Sequence, residues 1–391
     1  MSDPQEKNKK CKLSLQDFTK NPIFTPSSSK SLRSMNDGLH YTILKEGAIE
    51  KYSYETGQLV STIFDIKKVD QSSLDKRINF VRDYIFNNDE TYLLIIPYKQ
   101  MIYRRSFTTR YCLYEISTNK LIRLPAKQVQ KIAKFSPDGK NISYVQKNNL
   151  YVYNIENKIE KQITNDGKLN HILNGESDWV YEEEFGITHA YEWSPNNHSI
   201  AYIKFDESKV PVYNIQKYKG SYPTHEKNEM YPENFEYKYP KAGEANSIVS
   251  IHVYDLEKEK TITIKVDDET DIYIPKIKFT KNPNILLILH LNRHQNCLTI
   301  FSSNISTGEI HVVYRERNKY YIDFKSFTKF TIFNNGIDCV IESETTGFNH
   351  IYSLRIDESN NDLSDEEYIN RRKSITSGNF DVKDFIGYDE T

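Results

Sequence analysis

The chain has 391 residues, enough for one large repeat fold or for two ordinary domains with a sizeable core. Lysine and arginine together number 52 against 54 acidic residues, so the formal net charge is −2. This balance indicates neither a nucleic-acid-binding protein nor a polybasic membrane anchor. Tyrosine (29) and phenylalanine (19) are abundant and glycine (14) is scarce, which favours strands over helices.

The N-terminal stretch differs from the rest of the chain. Residues 1–12 are polar and charged and contain no apolar signal core. Ser14 followed by Asp17 predicts a short helix over residues 14–20. We therefore expect residues 1–34 to form an N-terminal segment with one short helix. The longest apolar stretch, residues 285–291, fits a buried strand and is too short to cross a bilayer.

Groups of short apolar runs recur at intervals of about 50 residues, near the upper end of propeller-blade periods. Each group opens at a tight turn, most clearly in the sequences F-S-P-D-G and W-S-P-N-N, where proline presets the first corner. A partial seventh group begins at residue 378. The six opening turns start at Met35, Phe86, Phe135, Trp193, Phe279 and Phe333.

The strands within a group are apolar on both faces. Residues 141–146 and 149–155 are predicted strands, and in the second of them Leu and Val occupy one face while Tyr, Tyr and Ile occupy the other. Two buried faces fit blades that stack on both sides, so a β-propeller is favoured over a β-sandwich, which stays open on pattern alone. Ser364 with Glu367 predicts a further helix in an acidic insert.

The segment most informative about chemistry is residues 178–186, whose sequence is D-W-V-Y-E-E-E-F-G. Three consecutive carboxylates, Glu182, Glu183 and Glu184, lie among aromatic residues, an arrangement that suits a cationic ligand. Acidic runs are also common in solvated turns, and composition does not decide between the two.

Several motifs in register resemble the dipeptidyl peptidase IV family, and its bacterial members most closely. The resemblance covers the chain from about residue 13 onward and includes D-W-V-Y-E-E-E. The other matching motifs are Y-R-R-S-F from Tyr103, W-S-P-N from Trp193, D-E-S-K-V-P from Asp206, Y-P-K-A-G from Tyr239, G-F-N-H-I-Y from Gly347 and I-T-S-G-N-F from Ile375.

This resemblance implies an eight-bladed propeller that caps an α/β-hydrolase domain, in an enzyme that removes N-terminal dipeptides ending in proline or alanine. Glu183 and Glu184 would hold the free α-ammonium of the substrate. Arg104 would bind a substrate carbonyl oxygen and reduce repulsion between the glutamates. Arg105 stands where the family has histidine, which leaves its role open.

The resemblance also bears on organisation and partners. Residues 35–391 are expected to form the propeller, incomplete at its C-terminal end, with the hydrolase domain absent. Residues 211–243 resemble an arm that family members extend into a homodimer interface. Family members usually act outside the cytoplasm. The expected partners are a peptide N-terminus, the hydrolase domain and a second copy, with no nucleic acid and no membrane segment in this chain.

The catalytic machinery of a hydrolase is not found in the sequence. The 14 glycines include no pair with the G-x-S-x-G spacing of a nucleophile elbow, and histidines such as His189 lack a serine and aspartate context. The glycine spacings of a G-x-G-x-x-G nucleotide loop and of a Walker loop are also missing, and the four cysteines form no C-x-x-C pair. We therefore expect no cofactor and no metal site. The chain alone should be inactive as a peptidase. The alternative function is a stand-alone propeller that serves as a protein- or peptide-binding scaffold.

Overall fold

The computed structural model describes residues 14–19, 32–125, 128–218, 231–266, 270–323, 330–356 and 363–389. The chain divides into two compact units, Met1–Asp65 and Ile66–Thr391. Each unit is built mainly from antiparallel sheets.

The first unit contains one helix and one sheet among its described residues. The predicted N-terminal helix is confirmed as α1, because the backbone N–H and the hydroxyl of Ser14 both donate to Asp17 Oδ2, at 2.7 and 2.8 Å. Its elements are α1 (Leu15–Thr19), β1 (Arg33–Ser34), β2 (His40–Lys45), β3 (Ala48–Ser53) and β4 (Leu59–Asp65), with the strands paired in chain order.

The second unit carries five larger sheets and two short ribbons in its described part. The first sheet contains β5 (Asp83–Phe86), β6 (Tyr92–Ile96), β9 (Cys112–Glu115) and β10 (Lys120–Arg123), and the ribbon of β7 (Gln100–Met101) and β8 (Phe107–Thr108) leaves it between β6 and β9. The second sheet contains β11 (Lys131–Phe135), β12 (Asn141–Gln146), β13 (Asn149–Asn154) and β14 (Glu160–Gln162).

The third sheet contains β15 (Ile172–Asn174), β16 (Tyr191–Trp193), β17 (Ser199–Asp206), β20 (Ile248–Asp255) and β21 (Lys260–Ile264). Helix α2 (Trp179–Glu183) lies between β15 and β16 in the chain, and the ribbon of β18 (Val212–Lys217) and β19 (Glu233–Lys238) lies between β17 and β20. The fourth sheet contains β22 (Ile272–Phe279), β23 (Ile285–Asn292), β24 (Cys297–Asn304) and β25 (Ile310–Arg317). The fifth contains β26 (Thr331–Ile332), β27 (Asp338–Ser343), β28 (His350–Arg355) and β29 (Lys373–Ser374), with α3 (Asp365–Asn370) before β29.

In five of the six larger sheets the repeated turn joins the first and second strands, and in the third sheet of the second unit it joins β16 and β17, its second and third strands. The structural repeat therefore begins at least one strand before the repeat read from the sequence. Neighbouring turns are linked in the second unit: Asn88 donates to the Pro137 carbonyl at 2.7 Å, and the Asp138 N–H donates to Asn197 Oδ1 at 3.0 Å. Gly139 has a φ of +71°, a conformation that favours glycine. The turn motif therefore also connects consecutive sheets.

Strands in the middle of the sheets are buried on both faces, as predicted. All six residues between the ends of β23 are buried, and β12 is buried from its second residue onward. Core clusters join consecutive sheets: Leu113 of the first sheet packs in one cluster with Ile142 of the second. The all-β fold is confirmed, and this stacking of sheets is consistent with a propeller. The number of blades stays a prediction.

The remaining sequence expectations concern the C-terminal part and the cysteines. The helix predicted at Ser364 is confirmed as α3, which begins with a reciprocal capping box between Ser364 and Glu367. Residues 378–389 contain no strand, so the start of a seventh repeat stays a prediction. No helix in the described ranges is long and apolar enough to cross a membrane. The free cysteines are Cys112, Cys297 and Cys339, and Cys11 lies outside the described residues.

Candidate functional site

The three glutamates lie on and just after α2, a short helix that the sequence pattern did not predict. Asp178 caps it: Oδ1 accepts the Tyr181 N–H at 2.9 Å, and Oδ2 accepts the Ser247 hydroxyl at 2.6 Å. Burial raises the pKa of the Asp178 carboxyl. The Tyr181 hydroxyl accepts the Ile274 N–H of β22 at 2.8 Å. These contacts hold the helix against the core of the second unit.

The Glu182 carboxylate binds backbone groups of the protein itself. Its side chain is 1% exposed, and its Oε1 accepts the backbone N–H groups of Arg105 and Ser106 at 2.6 and 2.8 Å. Arg105 Nη1 also donates to the Glu182 backbone carbonyl at 2.7 Å. Both residues lie in the turn that joins β7 and β8. Glu182 therefore fastens the tip of this ribbon to α2, and Arg105, whose role the sequence left open, takes part in the same fastening.

Glu183 and Arg104 form an ion pair at the surface next to this fastening. Arg104 Nε lies 3.1 Å from Glu183 Oε2, and the side chains are 72% and 18% exposed. Glu184 caps the C-terminal end of the helix, and its N–H donates to the Val180 carbonyl at 2.8 Å. The Glu184 side chain is exposed and meets no donor among the described residues. The structure thus pairs Arg104 with Glu183 and leaves Glu184 open beside them.

An aromatic cluster lies beside the glutamates. The Trp179 ring lies 4.1 Å from that of Tyr239 and 6.2 Å from that of Tyr237, measured between centroids. Tyr103, from the β7–β8 turn, lies 5.9 Å from Tyr237, and Tyr213 of β18 lies 5.5 Å from Tyr239. The partial burial of Tyr237, its tyrosine neighbours and the charge of Glu183 raise the pKa of its hydroxyl. Glu183 therefore has an aromatic surface beside it.

Sequence reasoning missed a second group of acids beneath the site. Glu176, Asp178 and Glu207 are each about 5–6% exposed. Lys131 Nζ contacts Glu176 at 2.5 Å. Burial, together with the charge of Asp178, raises the pKa of Glu207 to about 7. The signals in the sequence were the D-E-S-K-V-P motif, which contains Glu207, and the D-W-V-Y-E-E-E motif, which begins at Asp178.

These acids border a cavity of about 60 Å³, which has room for a few water molecules but not for a peptide residue. Tyr103 also borders it, and burial and the Glu207 carboxylate raise the pKa of the Tyr103 hydroxyl. The acids that line this cavity therefore form a buried polar layer beneath the surface site. In the part of the chain that the structure describes, no cluster of histidine, cysteine and acidic residues could hold a metal ion.

Comparison with known proteins places this chain in a family. Residues 87–391 match the family description "Dipeptidyl peptidase IV (DPP IV) N-terminal region". The crystal structure of Porphyromonas gingivalis dipeptidyl peptidase 4 is similar, with a TM-score of 0.85 and 32% identity, over 97% of this chain and 51% of that chain.

Curated relatives give the same result. Dipeptidyl peptidase 4 of Trichophyton tonsurans is 31% identical over 70% of this chain and 36% of its own length. A probable dipeptidyl-aminopeptidase B of Coccidioides posadasii is 30% identical over 59% of this chain and 26% of its own length. The chain thus spans about a quarter to a third of these curated relatives. The chain belongs to the family of the dipeptidyl peptidase IV N-terminal region.

Proposed function

We propose that this chain is the substrate-gating and N-terminus-anchoring part of a dipeptidyl peptidase IV-type serine peptidase. Glu183 and Glu184 hold the α-ammonium of a peptide, and Arg104 lies beside them. The observation that supports this proposal is the different use of three adjacent glutamates: Glu182 is buried by the β7–β8 turn, Glu183 is paired at the surface, and Glu184 is exposed. Two carboxylates thus remain for a ligand.

The ligand chemistry follows from charge. A free α-amino group has a pKa of about 8, so it is mostly cationic at neutral pH. Its three N–H donors match two carboxylates, and charge-assisted hydrogen bonds offset the cost of removing it from water. Before a ligand arrives, the Arg104 guanidinium offsets part of the negative charge of Glu183. The aromatic cluster that contains Tyr237, next to Glu183, would lower the local dielectric and so strengthen these interactions.

An N-terminal anchor at a fixed distance from the catalytic serine sets the length of the released fragment. In the complete peptidase, a separate hydrolase domain supplies the serine, aspartate and histidine, and the anchor selects Xaa-Pro and Xaa-Ala dipeptides. This chain then contributes binding and gating and no covalent chemistry.

The proposal is tested by comparing a peptide beginning Ala-Pro with its N-acetylated form. We expect the free peptide to bind the chain at least about tenfold more tightly by calorimetry, because acetylation removes the cation. Glu183→Gln and Glu184→Gln should each weaken binding of the free peptide and should lower kcat/KM in the complete peptidase. Glu257→Gln, at an exposed glutamate in the turn between β20 and β21, is the matched control. Equal binding of both peptides by the unchanged chain would contradict the anchor.

We also propose that residues 211–243 form a dimer contact. Every residue of β18 is exposed, including Val212, Tyr213 and Ile215, although they belong to a regular antiparallel ribbon. Apolar residues on an exposed ribbon favour association. Ile215→Lys should shift the chain toward monomer in light scattering, whereas Lys258→Glu, at an exposed lysine elsewhere, should leave its mass unchanged. A chain that is monomeric before any substitution would rule this contact out.

A further inference from the structure

Strands of three consecutive sheets bring positively charged side chains to the neighbourhood of a second cavity, which Lys276 lines. Lys134 comes from β11, Lys276 and Lys278 come from β22, and Glu192 comes from β16 between them. His189 precedes β16 and lines the same cavity. The cavity has a volume of about 180 Å³ and is distinct from the small one beneath α2. We propose that this cavity binds a small polyvalent anion through phosphate or carboxylate oxygens.

The geometry supports a shared charged site. Lys134 Nζ lies 3.9 Å from Glu192 Oε1 and 5.4 Å from the centroid of the Tyr191 ring. The side chains of Lys134 and Glu192 are each about one-third exposed, so solvent and small solutes reach them. Lys276, Glu192 and His189 all line the cavity. A ligand there would meet groups from two different sheets.

Positive charge exceeds negative charge among these groups. Lys134 contacts the Glu192 carboxylate at 3.9 Å, and the charges of Lys278, Glu192 and Lys134 all act on Lys276. Burial first, and then the charge of Lys278, lowers the pKa of Lys276 to about 8. Burial also lowers the pKa of Lys134, with Glu192 acting in the opposite direction. Burial, together with the charges of Lys134 and Lys276, lowers the pKa of His189 to about 3. A bound anion would relieve this repulsion.

Size and lining restrict the ligand. Pockets for drug-sized molecules usually measure about 300–1,000 Å³, so a cavity of about 180 Å³ suits a small ion. Lysine ammonium groups act as compact point charges that bind phosphate and carboxylate oxygens without a fixed fork geometry. Ala190, Ile203 and Ile277 form apolar walls that lower the local dielectric and strengthen these contacts. The site does not depend on the proposed peptide anchor.

Calorimetry on the 391-residue chain tests the proposal, with inorganic phosphate in one arm and citrate in the other, at constant ionic strength in chloride. Binding of either anion supports the site, and comparison of the arms identifies the preferred oxyanion. Lys276→Gln and Lys134→Gln should each weaken binding about tenfold or more. Lys258→Gln is the matched control, since Lys258 pairs with Asp255 elsewhere on the surface.

A substitution that is expected to tighten anion binding distinguishes loss of the site from damage to the fold. Glu192→Gln removes the carboxylate that competes for the lysines and should tighten binding severalfold, which a merely destabilised chain would not do. Lys276→Arg keeps the charge and should retain binding, so it carries the test if Lys276→Gln does not fold. The proposal is overturned if neither anion binds beyond chloride, or if Lys276→Gln folds and binds like the unchanged chain, or if Glu192→Gln weakens binding.

Discussion

Replacing Glu182 by alanine should destabilise the chain, whereas the same change at Glu184 should not. The two residues are two positions apart and have the same chemistry, but Glu182 is 1% exposed and Glu184 is exposed. Glu182→Ala removes the acceptor of the Arg105 and Ser106 N–H groups. The bond from Arg105 Nη1 goes to the backbone carbonyl and survives the change.

The magnitude follows from the two lost bonds. A hydrogen bond to a charged group contributes about 1.5–3 kcal/mol, and a buried donor left without an acceptor costs about 1–3 kcal/mol. The Arg105 side chain is exposed and that of Ser106 is half-buried, so water replaces part of the loss. We therefore expect about 2–4 kcal/mol for Glu182→Ala, and at most about 0.5 kcal/mol for the surface change Glu184→Ala.

Urea unfolding measures the global effect, and amide hydrogen exchange at Arg105 and Ser106 measures the local one. Both amides should lose protection in Glu182→Ala and keep it in Glu184→Ala. Glu182→Gln retains a neutral acceptor and should lie between Glu182→Ala and the unchanged chain. If Glu182→Ala unfolds at the same urea concentration as the unchanged chain and both amides stay protected, Glu182 does not fasten the turn.

Three further outcomes are expected. Asp178→Ala should lower the free energy of unfolding by about 1–2 kcal/mol in urea, because α2 loses its cap. Burial raises the pKa of Glu207 from 4.5 to about 7, so between these pH values the folded state binds more protons than the unfolded state. The free energy of unfolding should therefore fall by about 3 kcal/mol as pH rises across that window. Urea unfolding at several pH values should show this contribution, and Glu207→Gln should abolish it. Gly139→Ala should lower the urea midpoint, since its φ is +71° and a Cβ would lie 2.7 Å from Asn87 Nδ2; an unchanged midpoint would contradict this.

Much of the fold could be predicted because its signals are local. β12 (Asn141–Gln146) has the predicted bounds, since a turn precedes it and its apolar run ends at the next turn. The helix at Ser364 was also predictable, because its capping box lies within four residues. Helix α2 was not predictable from periodicity, because five residues are too few to show a helical repeat.

The strand pattern, the repeated turns, the caps of α1 and α3 and the grouping of Glu182, Glu183 and Glu184 could all be read from the sequence, because each depends on residues close together in the chain. The different roles of these glutamates depend on folding, because the two N–H groups that bind Glu182 lie 76 and 77 positions earlier in the chain. The meeting of Lys134 with Lys276 depends on sheet packing in the same way. Strand patterning specifies which residues are buried, but the stacking of sheets decides which distant charges meet.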